Sequence, residues 1–208
     1  METRNVDLMR AGRESLKGKW GLAILVFVVF TIIVSAVSAI PKAGSIISLI
    51  IAGPFVLGVT IFSLSISRNQ EAKFEQIFVG FNNFGKAVGA YLLMVLFIFL
   101  WSLLLIIPGI IAALSYSMVF YVLTDSISLS PKEALEKSKK MMYGYKWKFF
   151  RLQLRFFGLS LLCLLTLGIG FIWLIPYMQI TFAKFYDDLK EKNEKPQEVA
   201  EENLASAV

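Results

Sequence analysis

Chemistry inside an apolar layer needs polar groups that converge, and this chain offers few. Asp125 is the acidic residue nearest an apolar stretch. With Tyr121 and Lys184 it is the only plausible seed for proton transfer there, and an intramembrane enzyme would have to be built on those three. The chain contains no His, so the commonest general base is missing. Its single cysteine, Cys163, lies in an apolar run and leaves no intrachain disulfide and no His/Cys metal site. No Ser sits in a nucleophile elbow, and the Gly-containing turns lack phosphate-loop spacing. The residues predict no enzymatic activity, no metal and no cofactor.

Charge is the stronger signal. Of the 21 Lys and Arg residues, all but Lys42 fall in four stretches separated by pairs of apolar segments. The segment Ser126–Arg155 holds eight basic residues against Glu133 and Glu136, so most of the net charge of +6 resides in one internal loop. A basic loop between apolar segments points to orientation in the bilayer and to anionic headgroups, and not to nucleic acid. Within it, Ser130-Pro131-Lys132-Glu133 is a helix start with a capping box. The helix is expected over about residues 131–143, with Gly144 as its stop. Its polar face and the alternation that follows nominate Lys137, Lys139, Lys140, Lys146, Lys148 and Arg151 as an anionic-lipid interface; the plainer reading is topological anchoring. A second amphipathic helix is expected over residues 71–84, where Phe74, Ile77, Phe78, Phe81 and Phe84 recur at helical spacing.

These segments need a membrane domain to position them. The composition is 57 % hydrophobic and 17 % charged, with mean hydropathy +0.68. Soluble domains are about 45–50 % apolar. Six stretches approach spanning length: Trp20–Ile40, Ser45–Ser67, Ala87–Ile107, Gly109–Ser128, Phe149–Leu167 and the shorter Phe171–Tyr186. The connections Pro41-Lys42-Ala43-Gly44, Pro108-Gly109 and Gly168-Ile169-Gly170 are tight reversals. The expected fold is all-α: a polytopic bundle of six transmembrane helices in three hairpins, with two cytoplasmic interfacial helices. The expected organisation is a basic N-terminal segment (1–19), a membrane domain (20–186) and a disordered acidic cytoplasmic tail (187–208). Both ends are expected in the cytoplasm. A basic start before an apolar run also suits a signal peptide, with Val37-Ser38-Ala39 as a cleavage site, but the near-full spanning length favours an uncleaved helix. The hairpins resemble a degenerate parallel repeat, each with a Pro near its second helix. If the bundle encloses a polar cavity, Pro176 and Gln179 are its expected lining. Small residues at Ser35/Ala39 and Gly85/Gly89 would allow close helix approach, within the chain or in a homo-oligomer.

Several motifs recur together: Arg10-x-x-Arg13…Leu16-x-Gly18-x-Trp20, Phe78-Val79-Gly80-Phe81, Ile107-Pro108-Gly109-Ile110-Ile111-Ala112 with Tyr116-Ser117-Met118, Ala134-Leu135-x-x-Ser138-x-x-x-Met142-x-Gly144, and Thr166-Leu167-Gly168-Ile169-Gly170 with Pro176-Tyr177. Over about residues 5–188 the chain resembles the bacterial multi-pass membrane family filed as domain of unknown function 975, of Gram-positive type. The resemblance implies a bacterial cytoplasmic-membrane location and six spans, and brings no catalytic residues. Two functional expectations follow. One is a non-catalytic integral membrane protein acting through anionic lipids, or through a membrane or cytoplasmic protein partner, at the cytoplasmic face. The other is a transporter or permease for a small solute or lipid, without ion coupling because mid-membrane charges are lacking.

Overall fold

The structure is a computed structural model and describes residues 3–41 and 44–205; Lys42 and Ala43 of the first reversal, and the last three residues of the expected tail, lie outside the described residues. The described residues form helices and no strand. Helix α1 (Asn5–Ser15) precedes α2 (Trp20–Ser38) and α3 (Gly44–Ser67). A short α4 (Gln76–Val79) and a 3₁₀ turn (Gly80–Asn83) lead into α5 (Phe84–Leu104). Then come α6 (Ile106–Tyr116), α7 (Val119–Asp125), α8 (Pro131–Met141), α9 (Lys146–Leu165) and α10 (Phe171–Ala205).

Among the described residues, four stretches are long and apolar enough to cross a membrane: Trp20–Ser38, Ile47–Ser67, Gln76–Leu104 and Ile106–Asp125. The fifth and sixth expected spans differ in character. Arg151 and Arg155 fall inside the expected Phe149–Leu167. Only Phe156–Leu167 is free of charge, about 18 Å at 1.5 Å per residue, against about 30 Å of hydrocarbon. Helix α10 is apolar only in its first half. It also continues past residue 186, where the composition predicts a disordered tail. The run Asp187–Glu194 carries mixed charge and stays helical, anchored by ion pairs described below.

Helix α3 is the hub. It touches α2, α4, α5, α7 and α10. Close approach is possible because Gly53 faces the backbone of Ala87, and Gly58 faces that of Ile77, with no room for a Cβ. Gly80 is pressed in the same way against the Pro54 carbonyl. Of the expected small-residue pair Gly85/Gly89, a Cβ on Gly85 would meet open space, whereas one on Gly89 would stand 3.1 Å from the Pro131 ring at the start of α8. This tight seam also explains why no continuous amphipathic helix forms over 71–84. The chain there turns into α3, buries Ile77 fully and stacks Phe81 edge-on against Phe55 at 4.9 Å. Burial against the bundle outweighs the helical periodicity, and the segment breaks into α4 and the 3₁₀ turn.

Helix α8 forms where its capping signals place it. Ser130 and Glu133 exchange both bonds of a capping box, with Pro131 in the first turn. Its buried face carries Ala134, Leu135, Ser138 and Met141. Ser138 is 0 % exposed. Its Oγ donates to the Ser115 carbonyl at 2.8 Å and accepts from the Met118 N–H at 3.2 Å. Those two groups lie at the break between α6 and α7, so Ser138 supplies the partners that a continuous helix would have supplied.

The distribution of exposure is inverted along the bundle. Met118–Leu123 are all buried, as are Phe149, Phe156, Phe185 and Tyr186. At the opposite end Leu103 is 74 % exposed and Leu167 94 %. The reversals α5/α6 and α9/α10 therefore present bare Leu and Ile, which no aqueous surface of this extent sustains.

Candidate functional site

The polar ends of α3 and α7 meet the middle of α10 in one ionic cluster. Arg68, the residue after α3, spreads its guanidinium across two carboxylates. Nη1 and Nη2 donate to Asp125 at 2.7 and 2.9 Å, and Nε and Nη2 donate to Asp187 at 3.0 and 2.8 Å. Lys190 Nζ donates to Asp125 at 2.7 Å, and the Tyr186 hydroxyl donates to it at 3.1 Å. Ser67 Oγ donates to Asp187 at 3.0 Å, and Lys184 Nζ donates to the Ser67 carbonyl. The bonds it donates to Asp125 and Asp187 hold the Arg68 pKa above its already high ordinary value. Two cations face two anions, and Asp125 accepts from Arg68, Lys190 and Tyr186 together. That is the arrangement of a structural clamp, because a carboxylate so fully engaged is poorly placed to exchange protons. Asp125 and Lys184, from which intramembrane chemistry would have to be built, meet only through Ser67, Asp187 and Arg68; Tyr121 stacks on Tyr186 at 5.3 Å.

A second cluster ties α9 and α10 to the N-terminus. Lys148 Nζ donates to Asp188 at 2.9 Å, Lys192 Nζ donates to the same carboxylate at 2.6 Å, and the Thr3 hydroxyl also donates to Asp188. Burial pushes the Asp188 pKa up, but the donors Lys192, Thr3 and Lys148 outweigh it and hold the carboxyl below its ordinary range. Burial also pushes the Lys148 pKa down, only partly offset by Asp188, because Lys192 crowds the same carboxylate. Asn5 Nδ2 donates to the Lys148 carbonyl at 2.9 Å. The N-terminal stretch, expected only as a basic segment, forms α1 and packs on α10. Gly12 sits against Thr181 there, and the Tyr177 hydroxyl donates to the Met9 carbonyl.

The six nominated basic residues do not form one patch. They divide in pairs among three clefts. Lys137 and Lys140 line a cleft of about 240 Å³ above Asp125, Tyr186 and Lys190. Lys139 and Lys146 line another of about 240 Å³ with Trp101, Pro108 and Tyr116. Lys148 and Arg151 line a cleft of about 480 Å³ with Arg4, Asn5 and Arg155. Lys148 is 5 % exposed with its ammonium engaged by Asp188, and Arg4 is paired with Asp7 at 3.0 Å, so the cations this last cleft offers without a carboxylate partner are Arg151 and Arg155. Both are exposed, and neither has a carboxylate partner among the described residues. Sequence reasoning missed Arg155 and Arg4. Lys148, Arg151 and Arg155 at i, i+3 and i+7 share one helix face, and that spacing was available as a signal.

A fourth cleft, about 590 Å³ and mostly apolar, runs between α1, α9 and α10, with Arg13, Trp20, Leu162, Cys163 and Tyr177 among its lining. Neither Pro176, which is buried, nor Gln179, which is half-buried, lines any of these four clefts. Among the described residues, no group of three His, Cys, Asp or Glu side chains could hold a metal ion.

The chain matches no curated protein and no solved structure. A family model described as a protein of unknown function (DUF975) matches residues 1–108 and 103–193. Those matches cover the membrane-like helices, both ionic clusters and α8, and the chain belongs to the DUF975 family of proteins of unknown function.

Proposed function

We propose that this chain is a bacterial cytoplasmic-membrane protein of six spans in three hairpins, both ends cytoplasmic, that acts without catalysis by holding anionic lipid headgroups at the cytoplasmic face. The observation that carries this reading is the cleft between α1 and α9, where Arg151 and Arg155 are exposed without a carboxylate to neutralise them. Guanidinium groups suit phosphate because their planar donors engage two oxygens at once. The topology is supported by the two ends of the bundle. The ionic clusters gather the charged ends of α3 and α7 and the middle of α10 on one side, while the reversals at the other end carry bare Leu and Ile. The α9/α10 pair is short for a full span. Snorkelling by Arg151 and Arg155, with local bilayer thinning, accommodates it.

Native mass spectrometry of the protein released from mixed phosphatidylglycerol and phosphatidylcholine membranes tests the reading. Phosphatidylglycerol is expected to be retained selectively, and Arg151→Glu/Arg155→Glu to abolish that selectivity. Each cation near an anionic surface contributes about 1 kcal/mol, so two of them account for roughly thirtyfold in retention. Equal retention in wild type and variant overturns the proposal.

A further inference from the structure

The basic cleft and the apolar groove share two walls. On α9, Arg151 and Arg155 line the first, and Leu159, Leu162, Cys163 and Thr166 line the second. The steps of three and four residues keep these side chains on one helix face. On α1, Asn5 lines the first, and Met9 and Arg13, each four residues further on, line the second. Helix α10 backs the groove with Leu174 and Tyr177. Along α9 the face thus changes from guanidinium to aliphatic, while on α1 Arg13 keeps one guanidinium in the lining of the groove. From Arg155 to Thr166 is about 16 Å at 1.5 Å per residue, close to half of the roughly 30 Å hydrocarbon thickness. That is the depth of one leaflet.

Resting on the headgroup reading above, we propose that the two clefts are a single site for one anionic phospholipid of the cytoplasmic leaflet. Its phosphate lies between Arg151 and Arg155, and one acyl chain runs past Cys163 toward Gly170. A soluble anion would use only the first cleft. Asn5 Oδ1 is the only buried side-chain polar atom without a partner among the described residues. Its amide orientation is fixed, because Nδ2 donates to the Lys148 carbonyl. Two exposed guanidinium groups without a carboxylate call for a lipid of net negative charge, which makes phosphatidylglycerol the appropriate probe.

Cys163 is the sole cysteine of the chain and a free thiol in the groove, so its alkylation reports occupancy. The full chain, purified in detergent, is treated with N-ethylmaleimide while phosphatidylglycerol, phosphatidylcholine with the same acyl chains, or glycerol 3-phosphate is titrated in. Phosphatidylglycerol is expected to slow alkylation about tenfold. Phosphatidylcholine is expected to need roughly thirtyfold more lipid for the same effect, the worth of two cations, and glycerol 3-phosphate to do nothing. Arg151→Gln/Arg155→Gln, which removes the two cations and adds no charge, is expected to shift the phosphatidylglycerol midpoint by that factor without changing the lipid-free rate. Equal protection by the two lipids, or protection by glycerol 3-phosphate, overturns the proposal. If Cys163 stays reactive while retention of phosphatidylglycerol still depends on Arg151 and Arg155, the acyl groove is refuted and the headgroup reading stands. If retention ignores both arginines, the headgroup reading falls as well.

Discussion

Ser138→Ala removes one hydroxyl and, with it, both bonds that close the gap between α6 and α7. The Met118 N–H and the Ser115 carbonyl each have Ser138 Oγ as partner, and each lies in the break, where no backbone bond replaces it. Ser138 is fully buried, so water has no ready access. Leaving a buried donor or acceptor unsatisfied costs about 1–3 kcal/mol per group. Relaxation of the break recovers part of this, so about 2–4 kcal/mol is expected in total. For a chain of 208 residues, 1 kcal/mol corresponds to about 2–4 °C in midpoint. Thermal unfolding in a fixed detergent, read by size-exclusion chromatography, should therefore drop by about 5–15 °C. Lys139→Ala, on the exposed face of the same helix, is the control, and surface changes of this kind stay within about 0.5 kcal/mol. A Ser138→Ala midpoint within about 2 °C of wild type would refute the idea that this hydroxyl stabilises the break.

Three further outcomes follow from the clusters and the α3 seam. Arg68→Met leaves Asp125 and Asp187 facing each other without their shared cation, and should cost about 3–5 kcal/mol; adding Asp125→Asn and Asp187→Asn should restore much of the lost thermal midpoint. Gly58→Ala forces a methyl group into the Ile77 carbonyl, and should cost at least the roughly 1–3 kcal/mol of overpacking, seen as a lower yield of monodisperse protein; an unchanged yield and midpoint would contradict the seam. Asp188 is held below its ordinary range by its donors, so its contribution is present above the unfolded value of about 3.9 and is lost as pH falls through the lower folded value. Acid unfolding followed by Trp fluorescence should accordingly begin at higher pH in Asp188→Asn, and the stability difference from wild type should shrink as pH falls below about 4.

The elements that the sequence revealed are those set by local chemistry. Ser130, Pro131 and Glu133 specify the start of α8 within a few residues, because a capping box is written in adjacent positions. The apolar runs of the first four spans are legible for the same reason. What stayed hidden was decided by partners far along the chain. Arg68 reads as one more loop cation until Asp125 and Asp187, 57 and 119 residues away, are folded onto it. Asp187 and Asp188 read as the start of an acidic tail for the same reason. The segment 71–84 misled in the other direction: its helical spacing is real, but the glycine-lined surface of α3 offered it deeper burial than a membrane surface could. The basic residues after Lys137 were legible as a set, yet their partition among three clefts depends on how α8 and α9 lie against α5, α6 and α1.

The Arg68 and Asp188 clusters fasten α10 at its midpoint, through Asp187, Asp188 and Lys190. The helix is continuous across that fastening, so its apolar half and its charged half are one rod of about 52 Å at 1.5 Å per residue. The register of the apolar half against α9 and α1 is therefore set by ion pairs that lie outside it.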